Sequence, residues 1–312
     1  MLEMTATFAK AMEVKAVSSH TYTANFNLDW CVGSVPHGGI VTSVLLQVAA
    51  THFNTVLAAQ KQPHTITLHL EFLRRTQVGP CTVTVRDGKL GRQTSTIHVA
   101  LTQDGREEVV GYITNSNMNT ESGPSFETAW SLDPAPPPVD LARLAQDGGD
   151  VNWTEQKDRP FPKFRRVLNR ARQYVPLAGQ VSPGLCDEWI RFTSGEKFTQ
   201  ESLGLVCDLW PQIIETMSLK RAEQEGSEDS TPPPFWYPTL VLNLDIKKAL
   251  PAEGVDWLFV RVRAKKIEKG RQDLEVVILD EAGDIVALSH HVALVLSAER
   301  NLAKRKSKNE KL

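Results

Sequence analysis

Several things are scarce in this 312-residue chain, and each shortage excludes a class of protein. There are only four cysteines, Cys31, Cys81, Cys186 and Cys207, with no CxxC pair and no metal-ligand spacing. Neither a disulfide framework nor a bound metal is therefore expected, and the thiols read as reduced. No apolar run reaches the length of a membrane span. The opening "MLEMTATFAKAMEV" lacks a basic segment leading into a long apolar core, so no secretory signal is expected and the chain reads as cytoplasmic. Net charge is almost nil, with 35 Lys and Arg against 37 Asp and Glu, giving −2. Such a balance provides no field to attract nucleic acid or an anionic membrane. The G-x-S-x-G elbow of α/β-hydrolases is missing, as are G-x-G-x-x-G and the P-loop, so no nucleotide cofactor is expected. The terminal "EKL" is not the peroxisomal Ser-Lys-Leu address.

Apolar residues, at 41%, suffice to build ordinary cores in one large domain or two. The stretch "SVPHGGIVTSVLLQVAATHF", residues 34 to 53, runs from a Pro-His-Gly-Gly turn into a helix that is apolar almost all round. A helix of that kind must be enclosed rather than laid on a surface. Residues 117 to 141 contain "DPAPPP", which has to be extended, and are read as a linker. The flanks of the linker look like copies of one another. "TITLHLEFLRR" from Thr65 matches "TLVLNLDIKKA" from Thr239, 174 positions later; "GRQTSTIHVALTQDGREEVVGYITN" from Gly91 matches "GRQDLEVVILDEAGDIVALSHHVAL" from Gly270, 179 later. Both alternate as strands do, with "QDG" or "EAG" making the turn between two long strands. Each copy reads as a strand, a buried helix (residues 40–53 and 199–217) and three or four antiparallel strands. The boundaries expected are an N-terminal domain 1–118, a linker and connector 119–180, a C-terminal domain 181–298, and a frayed basic tail 299–312.

An antiparallel sheet wrapped around a buried helix, made twice, is the arrangement of the double hotdog, an α+β fold. "VPHGGIVTSVLL", "HLEFLRRTQVGPCTVTV" and "LVCDLWP" resemble, in that order, segments of the acyl-CoA thioesterase II family and its fungal thioesterase-like relatives. The resemblance implies an acyl-CoA thioesterase-like hydrolase whose substrate is an acyl-CoA or carrier-bound thioester, and it allows a homo-oligomer.

Asp208 stands among Leu203, Leu205, Val206, Leu209 and Trp210. An unpaired carboxylate in such company is costly and implies a partner or a role. The resemblance carries the family's catalytic aspartate onto it. In single-domain relatives with an HGG turn the acid follows the histidine by nine positions; nine after His37 stands Leu46, and nine before Asp208 stands Thr199. The first copy thus keeps the turn without the acid and the second keeps the acid without the turn, so one composite site and one dead pseudo-site are expected. At the helix mouth, Gly38 and Gly39 would offer backbone N–H groups to an oxyanion, and His37 would touch substrate or cap the turn. Thr239 falls on the family's water-holding hydroxyl. The family's glutamine falls on His291, or on His290 if the register slips by one; an imidazole there holds water or acts as a base. Neighbouring Cys207 cannot face the same centre as Asp208 on a helix and reads as packed. The basic run "KFRRVLNRAR", residues 163–172, reads as a solvated connector helix, with contact to CoA phosphates as the other reading. Two further functions remain in view: a tailoring cyclase, isomerase or dehydratase of polyketide-like secondary metabolism, and a non-catalytic acyl-binding protein.

Overall fold

The computed structural model describes residues 7–215, 217 and 235–303. A short α1 (Phe8–Ala11) precedes β1 (Lys15–Ser18) and β2 (Thr21–Phe26), and then comes the long α2 (Gly38–Asn54). Four long strands follow: β3 (His64–Phe72), β4 (Gly79–Lys89), β5 (Ser95–Gln103) and β6 (Arg106–Ser116). After the Pro-rich stretch come α3 (Leu141–Asp147), β7 (Trp153–Glu155), β8 (Ala171–Pro176), β9 (Leu185–Phe192) and α4 (Leu203–Val206). The second set of strands is β10 (Thr239–Ile246), β11 (Leu258–Arg263), β12 (Arg271–Leu279) and β13 (Ile285–Leu294), and α5 (Ala298–Leu302) closes the described chain.

Side-chain alternation explains the strands. In β12, Gln272, Leu274, Val276 and Ile278 are buried while Arg271, Asp273, Glu275 and Val277 are exposed or partly so, the period of two of a pleated strand. The β5–β6 turn is a two-residue loop, Asp104–Gly105, with φ of 53° and 68°, the left-handed pair that matches the twist of a hairpin. Helix α2 is enclosed on all sides: Val44, Leu45, Val48 and Ala49 are fully buried in the main core.

The two halves form one double hotdog. Their strands join edge to edge in a continuous antiparallel sheet among the described residues, thirteen of them in the order β1-β2-β4-β5-β6-β3-β10-β13-β12-β11-β9-β8-β7, with a short fourteenth, Ile267–Glu268, paired to β12 off that path. The seam is β3 against β10, where Asn243 pairs with His69. These two are counterparts 174 positions apart in the repeat, so the pseudo-twofold axis passes between them, marked by a 2.7 Å contact of His69 Nδ1 with Asn243 Oδ1.

Four expectations need correction. The second helix does not run over 199–217: α4 has four residues, and helical structure resumes only at Ile213–Glu215 after Pro211, which disfavours helix in the residue before it. The stretch 119–180 is not connector throughout, because β7 and β8 extend the sheet beside β9. The basic run is no solvated helix: Arg165 pairs with Glu215, Arg170 with Asp29 and Arg172 with Glu155. Finally, the tail is not frayed from residue 299. Asn301 in α5 is fully buried, accepting from Ser34 N (3.0 Å) and donating to Val32 O (2.9 Å). It anchors the turn leading to His37 through polar bonds, which an apolar-residue count does not register. Residues 304–312 lie outside the described residues.

The second half also contains a buried ion pair, Asp187–Arg261, bidentate at 2.7 Å across paired positions of β9 and β11. Removing one partner strands the other charge in the core, so Asp187→Ala is expected to lose about 3–5 kcal/mol of stability. Asp187→Leu combined with Arg261→Met should recover most of that. Urea unfolding of the three proteins measures both effects.

Candidate active site

The site begins with how α2 starts. Pro36 and a small hairpin (Cys31–Val32 with Val35–Pro36) deliver the chain to His37, which occupies the N-cap with φ −61° and ψ 138°. Its Nδ1 accepts from Gly39 N at 3.2 Å, doing with an imidazole what Ser or Asp usually does. Helix α4 crosses this first turn at two glycines. A Cβ on Gly39 would lie 2.9 Å from Gly204 O and from Leu205 Cα and O, and one on Gly204 would lie 2.7 Å from Ser43 N. Only at glycine can the two backbones come so close.

That crossing brings Asp208, just past α4, to the mouth of α2. Asp208 Oδ2 lies 3.5 Å from His37 Nδ1, and Oδ1 lies 3.6 Å from His291 Nδ1. A Cβ on Gly38 would sit 2.7 Å from Asp208 Oδ2 and 3.6 Å from Thr239 Oγ1, so both groups converge on this glycine. His37, Gly38, Asp208 and Thr239 line a cavity of about 240 Å³, together with Trp210 and Tyr237. The four come from both copies.

Burial dominates the electrostatics. Loss of hydration pushes the Asp208 carboxyl up to about 7, against a smaller downward pull from the Gly39 N–H. Burial pushes His37 down to about 4, opposed by a hydrogen bond to the Asp208 backbone, and takes His291 down to about 3, helped by His290 and His37. Both imidazoles are thus neutral at pH 7.

Their tautomers follow from the hydrogen-bond network. Ser289 Oγ donates to Asn243 O at 2.5 Å, so it accepts from His291 Nε2 at 2.9 Å, and His291 Nδ1 is left as a bare acceptor turned to Asp208. Among the described residues that buried nitrogen has no hydrogen-bond partner. His37 Nδ1, 3.5 Å from Asp208 Oδ2, spends its one lone pair on the Gly39 N–H. A carboxyl stripped of its hydration has a reason to keep its proton. Chemically, the arrangement holds one proton at Asp208 near neutral pH, ready to be given or taken at the cavity wall.

The sequence expectations fare differently residue by residue. His37, Gly38, Asp208 and Thr239 share one wall. Gly39 does not reach the cavity: its N–H serves His37 and Asp208, and its missing side chain makes room for α4. His291, not His290, faces inward, since β13 alternates and His290 is exposed. His291 is fully buried behind Asp208, outside the cavity lining, so it contacts the acid rather than a water in the cavity. Cys207 donates its thiol to Gly204 O at 3.3 Å and is packed, with burial raising its pKa well above the usual range. Leu46 is buried in the core, with no acid in the first copy's position. Sequence reasoning missed Trp210, whose ring stands edge-on to His291 at 5.3 Å and whose buried Nε1 has no partner among the described residues. Its position two residues after the acid was the one available signal.

Comparison with known proteins agrees with this architecture. Residues 26–116 match the acyl-CoA thioesterase N-terminal domain and residues 138–295 the acyl-CoA thioesterase C-terminal domain. The thioesterase-like protein TwmA of Talaromyces wortmannii is 39% identical, over 96% of this chain and 95% of its own. A thioesterase II from Thermobifida fusca superposes with a TM-score of 0.70 at 20% identity, covering 95% of this chain and 99% of that one. A hot dog protein of unknown function from Alicyclobacillus acidocaldarius gives 0.70 at 16%, covering 93% and 98%. Among the described residues no helix is long and apolar enough to cross a membrane. With both of its domains matched in order around a composite cavity, the chain belongs to the acyl-CoA thioesterase family.

Proposed function

We propose that this protein hydrolyses acyl thioesters, carried on coenzyme A or on a carrier protein, in the cavity between its two copies. One observation carries the reading: the buried Asp208 carboxyl, with a pKa raised to about 7, stands at the mouth of α2 against Gly38 and Thr239. A general base works best when its pKa lies near the working pH. Deprotonated Asp208 takes a proton from water, whose oxygen attacks the thioester carbonyl carbon, while Thr239 Oγ1 orients that water. The carbonyl oxygen becomes an oxyanion and draws on the Gly38 N–H and the positive end of α2. Collapse of the intermediate breaks the C–S bond, and Asp208 returns its proton to the leaving thiolate. His291 holds the carboxyl in place from behind through its Nδ1.

Free-thiol release from short-, medium- and long-chain acyl-CoAs tests the reading, since hydrolysis frees one thiol for each acid formed. A folded protein that releases thiol from no acyl-CoA and no acyl-carrier thioester refutes it.

One observation favours a second reading, proton-transfer chemistry on a bound acyl thioester, as in a dehydratase or isomerase. His37 is neutral and on the cavity wall beside the protonatable Asp208, so a base and an acid stand together. Mass spectrometry separates the two readings, because dehydration or isomerisation leaves the thioester intact.

A further inference from the structure

We infer that the opposite end of α2 carries a binding site for a divalent cation of the zinc class, formed by His20, His52 and Asp87. His52 lies in the last turn of α2, fifteen residues from His37 and so about 22 Å along the helix from the cavity. Asp87 is on β4, and His20 is in the turn between β1 and β2. His52 Nε2 is 3.0 Å from Asp87 Oδ1, and His20 Nε2 is 3.3 Å from Asp87 Oδ2. All three ligand atoms lie within 4.8 Å of one another. Metal–nitrogen and metal–oxygen bonds of about 2.0–2.1 Å give tetrahedral ligand separations of about 3.4 Å, close to the distance from each imidazole to the nearer Asp87 oxygen, Oδ1 for His52 and Oδ2 for His20. The remaining gap is closed by His20, whose side chain is 40% exposed and has room to turn.

Each imidazole also has its outer nitrogen held by a hydroxyl. Tyr22 OH is 2.9 Å from His52 Nδ1, and Ser19 Oγ is 2.9 Å from His20 Nδ1. Outer hydrogen bonds of this kind fix the rings of metal-binding histidines so that Nε2 faces the ion. At His52 they do more. With Tyr22 OH donating to Ser19 O at 3.2 Å it accepts from His52 Nδ1–H, the tautomer that presents the Nε2 lone pair to a carboxylate oxygen 3.0 Å away. In that tautomer a proton or a metal cation fills the gap between two acceptors. Two imidazoles and one carboxylate, open to solvent on one side, make a three-ligand set whose fourth position is filled by water. The ion would tie β2, β4 and the end of α2 together. The residues are 32 and 35 positions apart, so no motif spacing announces them.

The test uses tag-free, full-length protein stripped with chelator, titrated with Co²⁺ at pH 7.5 as the spectroscopic probe and with Zn²⁺ by calorimetry. We expect one equivalent of Co²⁺ with the visible bands of a low-coordinate N/O site, displaced by Zn²⁺. His20→Gln and Asp87→Asn, each checked for folding by circular dichroism, should weaken binding at least tenfold while leaving thioester turnover unchanged. Absence of binding makes a proton the only cation in the cluster and overturns the inference. Binding that both substitutions leave intact overturns it too, as does a thiolate charge-transfer band, which places the ion on cysteine.

Discussion

Asp208→Asn is expected to lower thioester turnover by about 10²–10⁴-fold while making the protein more stable at neutral and alkaline pH. Both effects have one cause. The carboxyl is buried at the mouth of α2, and loss of hydration raises its pKa from an ordinary 3.8 to about 7. Between those values the folded state holds a proton that the unfolded state has released. Stability from this group is therefore greatest below pH 3.8 and is lost as pH rises through about 7. Above that pH the folded protein contains a poorly solvated charge, a penalty of a few kcal/mol. Asparagine keeps the shape and has no charge to bury. The melting temperature of the variant should exceed that of the native protein at pH 8, and the two should converge near pH 4. The activity of the native protein should rise with pH through about 7 as the base is freed, and a profile of kcat/KM shows that limb. Equal turnover in the two proteins would remove Asp208 from the chemistry. Equal stability at pH 8 would show that the carboxyl is better solvated than its burial indicates.

The second large effect is a contrast between adjacent glycines. Gly38→Ala places a methyl 2.7 Å from Asp208 Oδ2, so the carboxyl must move away from Thr239 and from the head of α2. A displacement of about 1 Å at the reacting centre costs on the order of 10²-fold in rate, with little effect on stability because what gives way is a side chain. Gly39→Ala meets three backbone atoms of α4, each at 2.9 Å. There the helices themselves must separate, and overpacking of this kind costs about 1–3 kcal/mol. It also draws Asp208 away from His37, because α4 sets that distance. Position 38 should therefore lose kcat at nearly native melting temperature, and position 39 should lose both. Thermal unfolding and steady-state kinetics on the same preparations distinguish the patterns. If Gly38→Ala is as active as the native protein, the carboxyl is not held where the crossing places it.

Much of this was legible in the sequence. The duplicated strands declared themselves through alternation and through the QDG and EAG turns, because a sheet with one buried face forces a period of two. The enclosure of α2 followed from its lack of a polar face, and the unusual setting of Asp208 from the apolar residues around it. The absence of an acid at Leu46 and of a Gly-Gly pair after Thr199 was enough to suggest a site shared between copies.

Tertiary structure decided the rest. That Gly39 serves the crossing of two helices, and that His291 rather than His290 stands behind the acid, depend on register and on backbone approach, which composition does not encode. The second helix ends at Val206 although most of the residues that follow it, up to Trp210, are apolar enough to continue. The buried Asn301, and the bonds it makes to the turn before His37, come from a segment whose polarity suggested solvent. His20, His52 and Asp87 lie far apart in the chain and meet only because β2, β4 and the end of α2 converge. Periodicity, which arises from each element's own geometry, was determined by the sequence alone; which polar atoms meet at a crossing was determined by the fold, because those contacts join residues that the chain keeps apart.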